Sequence, residues 1–197
     1  MGVNLMNKNV TELVFILDKS GSMAGLEADT IGGFNAMLDK QKKEKGEAIV
    51  TTVLFSDNYE LLHDRINVKG VSPITERDYQ VGGMTALLDA IGSTIHKIGN
   101  IQKRTSSEER ASRVLFVITT DGMENSSCEY NYEKIRSMIS RQKESYGWEF
   151  IFLGANIDAI TTAANFGISE EFAVKYHADK EGTRLNYESV SNVVSSY

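Results

Sequence analysis

The stretch Leu13-Val14-Phe15-Ile16-Leu17-Asp18-Lys19-Ser20-Gly21-Ser22 decides the fold of this chain. Its first five residues are apolar, and a short continuous apolar run with β-branched members is typical of a strand buried on both faces. The run stops at Asp18, and hydroxyl-bearing residues follow it. We therefore predict a first buried strand that ends in an acidic, hydroxyl-rich loop.

The rest of the chain alternates apolar runs with amphipathic segments. Further strands are predicted at 48–55, 59–65, 113–119, 148–154 and 172–176. Helices are predicted at 30–43, 85–98, 132–146, 157–166 and 186–194, and a surface connection at 102–112. The strand at 59–65 follows a tight turn, so we expect it to lie at an edge, antiparallel to the strand before it.

This alternation predicts an α/β fold with a doubly wound, mostly parallel central sheet and helices on both faces, a Rossmann-like three-layer sandwich. In such sheets the binding edge is formed by the carboxyl ends of the strands, where the strand order reverses. Asp18 follows the first strand, and Thr120-Asp121-Gly122 follows the strand at 113–119. Both acidic residues are therefore expected at that edge.

A third polar segment, Gly82-Gly83-Met84-Thr85, opens a predicted helix. Together the three segments offer two carboxylates and three hydroxyls, from Asp18, Ser20, Ser22, Thr85 and Asp121. Oxygen donors of this kind suit a hard cation such as Mg²⁺. The sequence thus predicts one metal site divided over three segments.

These residues resemble the von Willebrand factor A domain and its metal-ion-dependent adhesion site, whose motif is Asp-x-Ser-x-Ser followed by a later Thr and a later Asp. The resemblance covers roughly residues 10 to 197 and suggests a stand-alone, bacterial-type member. It implies that Ser20, Ser22 and Thr85 bind the metal through their hydroxyls. It also implies that Asp18 and Asp121 hold the metal directly or through water.

The resemblance carries functional expectations as well. The metal would be Mg²⁺, with Mn²⁺ or Ca²⁺ as substitutes. Its remaining coordination position would be open to an Asp or Glu of a partner protein. The expected function is therefore non-enzymatic protein binding through a metal-held carboxylate.

Composition narrows the class of protein. The length of 197 residues and 41% hydrophobic content predict one domain, which we place at 11–197 after a tail at 1–10. The formal charge is −6, from 27 acidic and 21 basic residues, which argues against a nucleic-acid surface.

Cys128 is the only cysteine, so no intrachain disulfide can form. With no apolar run long enough to span a membrane, we expect a cytoplasmic protein.

Alternative interpretations compete with the binding site. Asp18, Ser20 and Thr85 could cap helices, because their side chains accept bonds from free helical amides. The metal could serve only the stability of a scaffold that binds its partners without metal. An Asp after the first strand also suits a Mg²⁺-dependent phosphoryl-transfer enzyme, but Ser20 stands where that chemistry needs a second acid.

Other reactive residues fit less specific roles. The three histidines, His63, His96 and His177, fall on separate elements without ligand spacing and are expected on the surface or on helix faces. Met23, Met84 and Met123 each lie one or two residues from a proposed ligand. They either surround the site with apolar surface or pack beneath its loops.

Overall fold

The computed structural model describes residues 10–121, 123–155 and 158–176. Its strands are β1 (Val10–Asp18), β2 (Glu47–Phe55), β3 (Tyr59–Asn67), β4 (Arg113–Thr120), β5 (Glu149–Ala155) and β6 (Ala173–Tyr176). Its helices are α1 (Glu27–Gln41), α2 (Leu87–Arg104), α3 (Tyr132–Tyr146) and α4 (Ala159–Asn165). Short 3₁₀ turns lie at Gly21–Met23, Val68–Gly70 and Glu170–Phe172.

The six strands form one sheet in the order β3-β2-β1-β4-β5-β6. All neighbouring pairs are parallel except β2 and β3, which are antiparallel. The predicted fold class and the antiparallel edge strand are therefore confirmed. The strand order reverses between β1 and β4, so the ends of these two strands lie at the switch point where open α/β sheets bind ligands.

The apolar run of β1 serves both faces of the sheet. Leu13, Phe15 and Leu17 belong to a core cluster that α1 covers, whereas Val14 and Ile16 belong to a second cluster on the other side. Helices α2, α3 and α4 contribute to that second cluster. Successive strand residues point to opposite faces, so a central strand covered by helices on both sides has no polar face.

Helix α2 differs from its predicted bounds at both ends. It begins at Leu87, two residues after Thr85, and continues to Arg104, well beyond the predicted end at residue 98. Gln102, predicted to lie in a surface connection, is buried, and its amide donates to the Glu12 carboxylate. The predicted helix at 186–194 lies outside the described residues.

A buried charge occupies the amino-terminal half of β1. Glu12 is fully buried and accepts a hydrogen bond of 2.7 Å from Nε of Arg65 on β3. Arg65 has a positive φ of 52°, and the β2–β3 pairing shifts register nearby, between Val50 and Val53. The backbone of β3 is thus irregular at Arg65, the residue whose guanidinium contacts Glu12. A buried carboxylate needs such a partner.

His63 is buried on β3, so its predicted surface position is wrong. Its ring stacks on Phe34 of α1 at a centroid distance of 6.5 Å, and Nδ1 lies 3.0 Å from Oγ1 of Thr52. His96 is exposed on α2, as predicted, with Nδ1 2.7 Å from the Tyr130 hydroxyl. His177 lies outside the described residues. None of the described helices combines the length and the apolar character needed to cross a membrane.

Candidate metal centre

Asp18 is the fully buried last residue of β1, and both oxygens of its carboxylate are engaged. Oδ1 accepts the backbone amide of Ser20 at 2.7 Å, and Oδ2 accepts the Thr120 hydroxyl at 2.5 Å. The Tyr79 hydroxyl donates to the Asp18 carbonyl. The carboxylate is therefore held by its own loop and by the end of β4.

The two serines of the motif connect Asp18 to Asp121. The hydroxyl oxygens of Ser20 and Ser22 lie 3.0 Å apart, and Ser22 hydrogen-bonds to the Asp121 carboxylate. Ser20 is buried, whereas Ser22 is exposed. Four of the five predicted ligands thus form one side-chain network that reaches solvent at Ser22.

The surroundings of the two carboxylates in this network disfavour their ionised forms. Burial raises the pKa of Asp18, hydrogen bonds from Thr120 and Ser20 oppose that rise, and the charge of Asp121 adds to it. Burial likewise raises the pKa of Asp121. Oδ1 of Asp121 is buried without a hydrogen-bond partner in the described part of the chain. A cation beside it would satisfy this oxygen and offset both charges.

The Thr85 segment is fastened through its backbone to the motif loop and to the loop that follows Asp121. The amide of Gly82 donates to the carbonyl of Lys19 at 2.9 Å, and the amide of Gly21 donates to the carbonyl of Gly83 at 3.0 Å. On the other side, the Thr85 amide donates to Oδ1 of Asn125 at 2.8 Å. Thr85 itself is buried. The Thr85 segment therefore lies against the motif loop and against the loop that follows Asp121.

The conformation of the loop before Thr85 requires glycine at position 83. Its φ is +81°, which side-chain-bearing residues rarely adopt, and a Cβ at this position would lie 2.2 Å from Oδ1 of Asp57. The β2–β3 turn that carries Asp57 therefore lies directly against the loop before Thr85. Only glycine permits both the backbone angle and the contact.

The capping interpretation is wrong. Helix α1 begins after Leu26 and α2 after Ala86, so neither cap position is occupied by Asp18, Ser20 or Thr85, and the residue at neither position accepts a helical amide with its side chain. Ser20 precedes the 3₁₀ turn Gly21–Met23, but its side chain does not cap that turn. The side chains of Asp18 and Ser20 are directed into the site network instead.

Sequence reasoning missed two residues that organise the site, Glu124 and Asn125. They follow Asp121 in the β4–α3 loop and bond to the start of α2 and to Thr85. The run Glu124-Asn125-Ser126-Ser127 is rich in side chains that bond local backbone, which was the available signal. The partner segment of these bonds lies about 40 residues earlier in the chain, so sequence alone did not identify it.

The methionines near the site divide between the two predicted roles. Met23 is fully buried and packs in the core beneath the motif loop. Met84 and Met123 are 56% and 81% exposed. They stand beside Thr85 and close to Asp121 in the chain, so the surface around the site is partly apolar.

No protein-family model matches the sequence, and the comparison with curated proteins found no relative. Solved structures show that the chain has the fold of a von Willebrand factor A domain. Proximal thread matrix protein 1 from the mussel byssus superimposes with a TM-score of 0.65 at 15% identity, over 95% of this chain and 46% of that one. This chain thus spans about half the length of that protein.

Two further structures are informative. The same mussel protein "with zinc occupied MIDAS motif" superimposes with a TM-score of 0.61 at 15% identity, over 94% of this chain and 46% of that one. The vWF domain of the type V pili tip protein Mfa5 from Porphyromonas gingivalis gives a TM-score of 0.67 at 9% identity, over 93% and 94% of the two chains. At these identities the likeness concerns the fold.

Proposed function

We propose that this protein is a non-enzymatic binding module that holds a divalent cation and uses it to coordinate an acidic residue of a partner protein. The metal ligands in this proposal are Asp18, Ser20, Ser22, Thr85 and Asp121. The observation that carries it is the side-chain network at the β1–β4 switch point, which contains a buried carboxylate oxygen of Asp121 that has no hydrogen-bond partner among the residues the structure describes.

The donor set supports a hard cation. Among the described residues, no group of three or more His, Cys, Asp or Glu side chains gathers at a metal-binding distance. The site instead combines two carboxylates with hydroxyls, all of them oxygen donors. Oxygen donors favour Mg²⁺, Mn²⁺ or Ca²⁺ over the metals that prefer thiolate or imidazole.

The charge balance supports an acidic ligand. Two carboxylates neutralise a divalent cation formally, but the remaining donors are neutral hydroxyls, so the cation keeps attraction for another anion. Without metal, the same carboxylates repel an acidic side chain. Partner binding is therefore expected to require the metal and to be lost on chelation.

Titration calorimetry of Mg²⁺ into metal-free protein tests the site. Asp121→Ala should abolish binding and Ser22→Ala should weaken it. Asp64→Ala is the matched control, because it removes the same charge from an exposed position on β3, where Asp64 pairs with Lys97 at 2.9 Å. If wild type and Asp121→Ala bind Mg²⁺ equally weakly, the proposed site is wrong.

The open coordination position can be tested without knowing the partner. Mn²⁺ bound to the protein would hold exchangeable water and enhance the relaxation of solvent protons. A short peptide with an amidated C-terminus and a single Glu should lower that enhancement by replacing water, and the same amidated peptide with Gln should not. Equal effects of the two peptides would contradict carboxylate capture.

The scaffold alternative makes a different prediction. If the metal only stabilises the fold, Mg²⁺ would raise the melting temperature by linkage but leave partner binding unchanged. Partner binding measured with and without EDTA separates the two functions. The phosphoryl-transfer alternative requires turnover of a phosphate ester that Asp18→Asn abolishes.

A further inference from the structure

The β4–α3 loop is fastened to the start of α2 by a dense set of hydrogen bonds. Asn125 makes a reciprocal pair of hydrogen bonds with the backbone of Thr85. Its side-chain Oδ1 accepts the Thr85 amide at 2.8 Å, and its backbone amide donates to the Thr85 carbonyl at 3.1 Å. This pair is the direct connection between the segment of one proposed ligand and the segment that follows Asp121.

Glu124 adds four bonds through one carboxylate. Oε1 accepts the amides of Ser126 and Ser127 at 2.9 and 2.7 Å, which folds the loop on itself. Oε2 accepts the Ser127 hydroxyl at 2.7 Å and the amide of Leu88 at 2.9 Å. Leu88 lies in the first turn of α2, where amides lack helical partners, so Glu124 joins the loop to the helix start.

Asp89 of α2 completes the connection in the opposite direction. Its carboxylate accepts the amides of Cys128, Glu129 and Tyr130 at 2.8 to 3.0 Å, and its own amide donates to the Ser127 hydroxyl at 3.1 Å. Side chains from both segments thus bind the backbone of the other. Such two-way bonding fixes the register of the loop against α2 more firmly than a single contact.

We infer that Glu124 and Asn125 are positioning residues of the metal site, and this inference rests on the function proposed above. Thr85 lies two residues before α2, and Asp121 lies three residues before Glu124. The clamp formed by Glu124 and Asn125 therefore sets the separation between the Thr85 hydroxyl and the Asp121 carboxylate. A cation needs both ligands at its coordination distance, so loosening the clamp weakens the metal without removing a ligand.

The test compares Asn125→Ala with Asn67→Ala. Asn67 is also exposed, and its Oδ1 also accepts one backbone amide, that of Lys69 at 3.0 Å. It pairs with Ile49 near the start of β2, so it lies at the end of the sheet away from the proposed metal site. Asn125→Ala should lower the Mg²⁺ affinity roughly tenfold, at the lower end of the effect of removing an outer partner of a metal ligand, because Asn125 bonds the backbone of Thr85 and not its hydroxyl. Asn67→Ala should bind Mg²⁺ like wild type, while its melting temperature should fall by about as much as that of Asn125→Ala.

Glu124→Gln provides a graded second variant, because the amide keeps one acceptor oxygen and loses the other. We expect weaker Mg²⁺ binding than in wild type, together with faster hydrogen exchange in the metal-free protein at the Leu88 amide, whose acceptor is the Glu124 carboxylate. A purely structural role would lower the melting temperature and leave the Mg²⁺ affinity unchanged.

The outcomes separate the two proposals. Wild-type protein that fails to bind Mg²⁺ overturns the proposed metal site, and the positioning role with it. Wild-type protein that binds Mg²⁺ with the same affinity as Asn125→Ala and Glu124→Gln overturns the positioning role alone.

Discussion

Replacing Gly83 by alanine is expected to destabilise the protein through a cost that its neighbour Gly82 does not carry. The φ of +81° at Gly83 places an added side chain in the left-handed region, which costs about 1–2 kcal/mol. The new Cβ would also lie 2.2 Å from Oδ1 of Asp57. Asp57 is exposed and can rotate away, but it then loses the bond from the Ser56 hydroxyl, worth about 0.5–1.5 kcal/mol.

Gly82→Ala is the matched control, because no atom lies within 4 Å of its added Cβ. Both substitutions restrict the unfolded chain equally, so this contribution cancels between them. The two variants should therefore differ by about 1.5–3.5 kcal/mol in the free energy of unfolding. Urea denaturation with a constant m-value measures this difference.

A double-mutant cycle divides that difference into its two parts. In an Asp57→Ala background the contact is gone, so Gly83→Ala should cost only the backbone contribution of about 1–2 kcal/mol. If Gly83→Ala proves no more destabilising than Gly82→Ala, the close approach of the β2–β3 turn to the Thr85 loop is refuted.

Three further predictions concern stability. Burial lowers the pKa of His63, against an opposing effect of Asp78, so the unfolded chain takes up a proton near pH 6.5 that the folded chain resists. The free energy of unfolding should therefore fall from pH 7 to pH 5, and it should fall less steeply in His63→Gln. Arg65→Met should cost about 3–5 kcal/mol in urea denaturation because it leaves the buried charge of Glu12 without its cation, and adding Glu12→Gln should recover much of the loss. Gly32→Ala should raise the unfolding free energy by about 1 kcal/mol, since Gly32 lies exposed within α1 with open space around its Cβ.

The sheet could be predicted from the sequence because its central strands carry strong local signals. Residues 13–17 and 114–118 are uninterrupted apolar runs, and both lie in buried strands that end at the switch point. Strand alternation with helices then limited the possible topologies to a few. Asp18 and Thr120, at the ends of these two strands, are consequently hydrogen-bonded to each other at the predicted edge.

The remaining features depend on contacts between distant segments. Nothing local to His63 indicated burial, because its position depends on Phe34 of α1. Gln102 continues α2 because its amide reaches Glu12, 90 residues away. Glu124 and Asn125 looked like ordinary loop residues, since their partners belong to the start of another helix.

The hydrogen bond between Thr120 and Asp18 joins residues 102 positions apart. During synthesis, at about 5–20 residues per second, the motif loop would therefore exist for about 5–20 s before the ribosome had made its β4 partner. A nascent chain in that interval carries Asp18, Ser20 and Ser22 but lacks Asp121. The proposed cation site thus becomes available only after the two halves of the sheet have been made and joined, so a partially synthesised protein would not engage a partner prematurely.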